Sequence, residues 1–155
     1  MNSQALSGIK FIELGQLIAG PLAAKTLADF GADVIKIEPP GEGDPLRKWR
    51  LLHGGTSVWW QVQSRNKRSV VLDLRQAEGR DIVRRLIAEA DVLIENFKLG
   101  TLEKWGMPYV IAVGRPLLLA ISGNRLRVDV ELPILSPRSP FQPQTRRRSR
   151  RIQRQ

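Results

Sequence analysis

The first forty residues contain two short apolar runs with a helical pattern between them. IKFIEL at 9–14 and DVIKI at 33–37 have the length and apolar content of buried strands. Between them, apolar side chains recur at helical spacing over residues 22–30, Pro21 suits the first position of a helix, and Gly31 is a plausible stop. This order predicts a βαβ unit, whose two strands pair in parallel.

The same alternation continues along the chain and predicts an α/β fold with an open, doubly wound, mainly parallel sheet. A helical pattern runs through residues 82–90, and TLEKWG predicts a short helix with Thr101 as a possible cap. Further strands are predicted at 69–74, 91–97 and 116–122.

The net charge of +10 is concentrated at the end of the sequence. Residues 124–155 hold nine Arg against Asp129 and Glu131, whereas residues 1–123 hold 16 basic and 13 acidic groups. We therefore predict an α/β domain over 1–123 and a Pro/Arg-rich tail over 124–155, disordered from residue 133 onward.

The tail has three competing interpretations. It is a product of reading out of frame in a GC-rich gene, a basic arm that binds nucleic acid, or a natural fusion. No aromatic residue lies among the terminal arginines, which argues against base stacking and against nucleic acid as the partner. The nucleotide sequence after codon 123 distinguishes the frameshift from the arm.

Composition excludes several classes of site. The absence of Cys excludes disulfides, thiol nucleophiles and cysteine-ligated metal, and a single histidine, His53, argues against a histidine metal cluster or a Ser-His-Asp triad. The sequence has no signal-peptide pattern and no apolar run of the roughly 18 residues that a membrane span needs. We expect a cytoplasmic protein with no metal and no membrane partner.

Ligands bind parallel sheets beyond the carboxyl ends of the strands, so the segments that follow each strand are candidates. GQLIAGP at 15–21 is either an anion site at a helix N-terminus or simply a tight turn. Asp73 contacts a ligand or holds its own turn, and Arg75 meets a phosphate or is solvated.

The segment after the fourth strand combines several groups that suit a nucleotide-like ligand. Asn96 offers an amide, Phe97 a stacking face, and Lys98 and Lys104 two cations. By contrast, the adjacent Trp59 and Trp60 are predicted to serve packing rather than stacking on a ligand.

Three segments together resemble the N-terminal part of the family III CoA-transferases: LSGIKFIELGQLIAGPLAAKTLADFGADVIKIEPPGEGDPLR, NKRSVVLDLRQAEGRDIVRRL and ADVLIENFKLGTLEKWG. The resemblance runs nearly without gaps from about residue 6 to residue 123. It implies a Rossmann-like large domain that binds coenzyme A, here incomplete, and an interlocked homodimer in the complete family.

The resemblance also implies which residues contact coenzyme A. Lys104 stands where the family often has Arg, so the charge is kept and the planar fork is lost. By motif position the contacts are Ile18, Ala19, Leu72, Asp73, Leu74, Arg75, Asn96, Phe97, Lys98 and Lys104.

The reaction implied for the transferase members uses an aspartate nucleophile. It attacks an acyl-CoA, forms an aspartyl-CoA thioester through a mixed anhydride, and hands CoA to a carboxylic acid. That aspartate, and the acid–base groups of the racemase branch, lie beyond residue 123, and Asp129 follows too soon to take the role. We predict no catalytic residue in this chain, which is then an inactive fragment; the alternatives are a non-catalytic CoA-binding protein and a basic nucleic-acid-binding protein.

Overall fold

The computed structural model describes residues 4–98 and 100–107, and the backbone of residues 117–122 and 125–129. The predicted boundary at residues 123 and 124 and the predicted disorder from residue 133 lie outside these described residues.

The described residues form an α/β fold built on one six-stranded sheet with the strand order β5-β2-β1-β6-β7-β8. The strands from β5 to β7 run in parallel, and β8 is antiparallel to β7. This confirms the predicted mainly parallel α/β sheet. The elements are β1 (Lys10–Glu13), α1 (Ala19–Asp29), β2 (Asp33–Glu38), β3 (Leu52–His53), β4 (Thr56–Ser57), α2 (Val58–Gln63), β5 (Lys67–Val71), α3 (Ala77–Ala88), β6 (Val92–Glu95), α4 (Thr101–Lys104), β7 (Leu117–Ser122) and β8 (Arg125–Asp129).

Alternation along the strands divides the core between the two faces of the sheet. Phe11 and Val34 point to the face covered by α1, where they pack with Ala24 and Ala28. Ile12 and Ile37 point to the other face, where they pack with residues of α3 and α4 such as Val83. Helices on both faces make the sheet doubly wound, as predicted.

The strand order reverses at β1, and this point positions the candidate site. The chain leaves β1 toward β2 and β5 with α1 on one face, then crosses through α3 on the other face to place β6 on the far side of β1. In open α/β sheets the crevice for a ligand lies at such a switch point, beyond the carboxyl ends of the strands. Here that crevice lies at the ends of β1 and β6.

Two predicted starting points were wrong for local reasons. Helix α1 begins at Ala19 rather than at Pro21, because the first four N–H groups of a helix have no intrahelical partner and proline is tolerated there. The possible cap Thr101 is instead the first residue of α4, and Gly100 precedes it with a left-handed φ of 83°.

Strand β5 corresponds to the strand predicted at 69–74, but it occupies Lys67–Val71. It pairs with β2 from Val34 to Glu38 and ends where β2 ends. Because its first residues are charged, the apolar pattern of the sequence did not reveal where the strand begins. The shift moves Leu72, Asp73 and Leu74 out of the strand and into the turn that follows.

The tryptophan prediction is confirmed for Trp60, which is buried and carries the Arg47 guanidinium over its ring at 3.9 Å. Trp59 differs, because 40% of it is exposed and it meets Trp49 edge-on. It lies at the start of α2, next to the short β3–β4 hairpin.

Candidate active site at the carboxyl edge of the sheet

The first turn, residues 15–18, joins β1 to α1 through a close approach of two glycines. A Cβ atom on Gly15 would lie 2.8 Å from the Cα of Gly20, and one on Gly20 would lie 2.7 Å from the Cα of Gly15. Neither position has room for a side chain, so both glycines are required by packing. Leu17, between them, adopts a left-handed φ of 61°, which is uncommon for a leucine.

Asn96, just beyond β6, forms hydrogen bonds with the first turn from the other side of the switch point. Its Oδ1 accepts a hydrogen bond of 2.7 Å from the Gln16 amide, and its Nδ2 donates one of 2.8 Å to the Gln16 carbonyl. The side chain that was predicted to face a ligand base therefore has both ends of its amide bonded to the turn.

A buried ion cluster of four residues, Glu13, Lys36, Asp44 and Lys67, lies beneath the first turn. The Lys36 ammonium donates to Glu13 Oε1 at 2.9 Å and to the Gly15 carbonyl at 2.7 Å. It also lies 2.7 Å from Asp44 Oδ2, an ion-pair contact without hydrogen-bond geometry. Lys36 thus ties the strand end, the turn and the loop after β2 together.

The other two members of the cluster extend it to the first turn and to α1. Asp44 Oδ1 accepts a 3.1 Å hydrogen bond from the Leu17 amide and one of 2.8 Å from Leu46. Lys67 donates to Glu13 Oε2 at 2.7 Å and to the Pro21 carbonyl at 2.8 Å. Burial lowers the pKa of Lys67, and the neighbouring Glu13 carboxylate opposes that shift.

A second ion pair holds the loop that carries Asp44. Glu38 accepts from the Asp44 amide at 2.9 Å, from the Arg47 guanidinium at 2.6 and 2.8 Å, and from the Ser69 hydroxyl. Burial would raise the pKa of Glu38, but the hydrogen bonds from Arg47 and Ser69 outweigh it and lower the pKa to about 2. The carboxylate is therefore charged at neutral pH.

The N-terminus of α1 opens at this same edge. Its capping residue Ile18 makes no side-chain hydrogen bond, and its first turn contains no acidic residue. The positive end of the helix dipole is left uncompensated by side chains there, a setting that favours an anion. Ile18 is half-buried and Ala19 exposed, so both predicted contacts lie where a ligand can reach them.

The second turn, residues 72–76, joins β5 to α3 and is organised locally. Arg75 donates three hydrogen bonds to the Asp73 carboxylate, one from its amide at 3.0 Å and two from its guanidinium at 2.9 and 3.0 Å. The hydrogen bonds from Arg75 lower the pKa of Asp73. The side chain of Leu74 is buried in the core, which leaves its backbone for any ligand contact, and Leu72 is half-buried.

Helix α3 supports the second turn from below. A Cβ atom on Gly79 would lie 2.2 Å from the Asp73 carbonyl oxygen, so the helix approaches the turn as closely as glycine allows. Arg80 then donates to the Arg75 carbonyl at 2.8 Å. Both candidate turns thus depend on a glycine in the following helix.

The third segment follows β6 and carries the aromatic and cationic candidates. Phe97 is half-buried and packs edge-on against Trp105 with their centroids 5.3 Å apart, and Lys98 and Lys104 are exposed. The Glu95 carboxylate accepts a 2.7 Å hydrogen bond from the Phe97 amide, and burial raises its pKa.

The charged residues beneath the site were not predicted from the sequence: Glu13, Lys36, Glu38, Asp44 and Lys67. A signal existed, because Lys36 interrupts the apolar run DVIKI at a position that shares a face with the buried Val34. A charge in such a position needs a buried partner. Which partner it takes depends on strand order, which the sequence does not reveal.

Among the residues that the structure describes, no group of three or more His, Cys, Asp or Glu side chains is arranged to hold a metal ion. No helix in that part of the chain is both long and apolar enough to span a membrane.

Comparison with known proteins identifies relatives of this chain. The family model described as CoA-transferase family III matches residues 6–113. A succinyl-CoA–D-citramalate CoA-transferase from Chloroflexus aurantiacus is 50% identical over 103 residues, 66% of this chain and 26% of that protein. A succinate–glutarate CoA-transferase from Agrobacterium fabrum is 47% identical over 111 residues, 67% of this chain and 28% of that protein.

A solved structure agrees with these sequence matches. The crystal structure of a CaiB/BaiF family protein from Brucella suis superimposes with a TM-score of 0.68 at 45% identity. The match covers 78% of this chain and 33% of that one. The chain therefore spans about a quarter to a third of the length of the relatives it matches.

Proposed function

We propose that this chain, which belongs to the CoA-transferase family III, supplies the coenzyme A-binding part of an enzyme that transfers CoA between an acyl-CoA and a carboxylic acid. The observation that carries the proposal is the meeting of the first turn with the segment after β6. There, Asn96 bonds to Gln16 beside a helix N-terminus that no side chain caps. Phosphate groups suit such a helix end, and the two exposed lysines that follow β6 add positive charge.

The ligand contacts divide by chemistry. We assign the phosphates to the backbone at Ile18 and Ala19 and to the cations Arg75, Lys98 and Lys104, and the adenine side to Phe97. Leu72, Asp73 and Leu74 are assigned contacts beyond the end of β5, and Leu74 contributes only its backbone because its side chain is buried. Asn96 acts by holding the first turn, because both ends of its amide are already bonded to Gln16.

The acyl donor and acceptor are proposed from the relatives. The two relatives compared above are named for succinyl-CoA with citramalate and for succinate with glutarate. We therefore propose a short dicarboxyl-CoA as donor and a short dicarboxylic acid as acceptor for the complete enzyme, acting through an aspartyl-CoA intermediate, with two chains in the assembly. The 155-residue chain alone binds CoA and does not transfer it, because the nucleophilic aspartate of the family lies beyond the matched segment.

The test compares CoA with inorganic pyrophosphate as ligands of the 155-residue chain, by calorimetric titration. The arginines near the C-terminus attract any polyanion, so the informative quantity is the preference for CoA over pyrophosphate. We expect CoA to bind more tightly, and Phe97→Ala to reduce that preference while weak pyrophosphate binding remains.

A charge-matched pair of variants locates the phosphates. Lys98→Ala with Lys104→Ala removes two charges at the carboxyl edge, whereas Lys10→Ala with Arg68→Ala removes two exposed charges near the amino ends of β1 and β5. The first pair is expected to weaken CoA binding about tenfold and the second pair to change it little. Equal effects of the two pairs, or equal binding of CoA and pyrophosphate, contradict the proposal.

Activity is assayed separately. We expect no exchange of CoA between succinyl-CoA and glutarate above background with the 155-residue chain. Transfer that is abolished by Phe97→Ala would show that the fragment is itself an enzyme.

A further inference from the structure

The buried ion cluster raises a question that ligand binding alone does not answer. The ammonium of Lys36 and the carboxylates of Glu13 and Asp44 are almost completely withdrawn from solvent, with exposures of 2% or less. Burying ion pairs gains little stability over an apolar core of the same volume. A cluster of this kind is better explained by a geometry that it specifies than by the stability that it contributes.

The cluster cannot act by attracting an anion. Lys36 and Lys67 are matched by Glu13 and Asp44, and Arg47 is matched by Glu38 in the adjoining pair. Equal numbers of positive and negative groups give no net charge that would draw phosphate toward the site. Its effect on the site must therefore be transmitted through hydrogen bonds to the backbone.

Those hydrogen bonds converge on the first turn and the start of α1. The carbonyls of Gly15 and Pro21 accept from Lys36 and Lys67, and the Leu17 amide donates to Asp44. With the two Asn96 bonds to Gln16, three successive residues of the turn are held by side chains from three other parts of the fold. The residue that Asp44 holds is Leu17, which has a left-handed φ.

We infer that Lys36 and Asp44 are positioning residues, which hold Leu17 in its left-handed conformation so that the backbone at Ile18 and Ala19 is preorganised for CoA. The inference rests on the proposed function. A left-handed leucine is strained and returns to an ordinary conformation unless its surroundings prevent it. Asp44 supplies that restraint, and Lys36 fixes Asp44.

The decisive experiment is a rescue. Asp44→Ala removes the acceptor of the Leu17 amide and is expected to weaken CoA binding by the 155-residue chain about tenfold. Leu17→Gly in the same chain lowers the cost of the left-handed conformation, because glycine adopts it readily. The double variant is expected to recover at least about threefold of the lost affinity, although glycine also makes the unfolded chain more flexible.

A conservative variant and a control at the far end of α1 complete the set. Asp44→Asn keeps the acceptor but loses the ion pair with Lys36, and it is expected to weaken CoA binding less than Asp44→Ala does. Asp29→Ala removes an acid near the other end of α1, where it bonds Arg65 and Asn66, and is expected to leave CoA binding unchanged. Asp44→Ala that binds CoA as tightly as the wild type, or a double variant that binds more weakly than Asp44→Ala, overturns the inference.

Amide hydrogen exchange of the wild-type chain tests the inference even if none of the variants folds. A preorganised turn protects the Gln16 and Leu17 amides equally with and without CoA, and protection that appears only with CoA overturns the inference. The proposed function fails in a different way. A folded wild-type chain that protects both amides but binds no CoA overturns the proposed function, and it also overturns the role of Asp44 in CoA binding.

Discussion

The two turns that form the candidate site are held in different ways. The first turn is hydrogen-bonded to Lys36, Asp44 and Asn96, which are all distant in sequence and buried or half-buried. The second turn is held by Asp73 and Arg75, which lie two residues apart, with Arg75 exposed. The first is therefore a property of the whole fold, whereas the second is largely a property of its own sequence.

This difference predicts how each turn responds to the loss of one cation. Lys36→Met leaves Glu13 and Asp44 buried without the cation they share, and is expected to lower the free energy of unfolding by about 3–5 kcal/mol. Arg75→Met breaks an exposed pair and is expected to change the urea midpoint little. Urea unfolding followed by tryptophan fluorescence measures both. Similar losses for the two variants would mean that the turns are not held differently.

Acid should loosen the loop beside the first turn through Glu38. Its pKa is about 2 in the folded protein against an ordinary value of 4.5, so its stabilisation is complete above pH 4.5 and is lost as the pH falls toward 2. The loss amounts to about 3 kcal/mol, since one unit of pKa corresponds to about 1.4 kcal/mol. Glu38→Gln should flatten the dependence of unfolding free energy on pH over this interval.

Asp73 is the matched comparison for that measurement. Its pKa is also lowered, by the hydrogen bonds from exposed Arg75, so its contribution changes with pH in the same direction. Solvent weakens this pair, and Asp73→Asn should alter the pH profile much less than Glu38→Gln does. A larger effect of Asp73→Asn would reverse the comparison.

The smallest predicted difference concerns the backbone, where the two turns are alike. Gly20→Ala and Gly79→Ala each place a Cβ atom against backbone, at 2.7 and 2.2 Å, and should each cost about 1–3 kcal/mol. Without the clash, alanine would stabilise a helix relative to glycine. As a control, Ala23→Gly within α1 should cost about 1 kcal/mol through helix propensity alone. Gly→Ala changes that stabilise the protein would contradict the close approaches.

Patterns within a single segment predicted the parts of the fold that depend on that segment. The apolar runs around Phe11 and Val34 gave two adjacent strands, and the helical spacing around Leu27 gave α1. Family resemblance supplied the candidate site residues, which the structure places at the carboxyl edge. Their ligand contacts remain predictions.

Contacts between segments could not be predicted in the same way. Residues 65–69, RNKRS, carry no apolar pattern, yet Lys67 among them reaches Glu13 in the buried ion cluster. Asn96 was expected to face a ligand and instead bonds the first turn. Both outcomes depend on which strands lie side by side, and neither spacing nor composition specifies that order.

The Asn96–Gln16 contact also has a consequence for the order of events during biosynthesis. The two residues are 80 positions apart, and contacts so distant form only after the loop between them has closed. The first turn emerges early from the ribosome, but its hydrogen bonds with Asn96 form only when β6 has been made and has joined β1. A nascent chain that has not yet reached β6 carries the turn's sequence without its geometry. The turn acquires that geometry when β6 joins β1 and completes the central strands of the sheet.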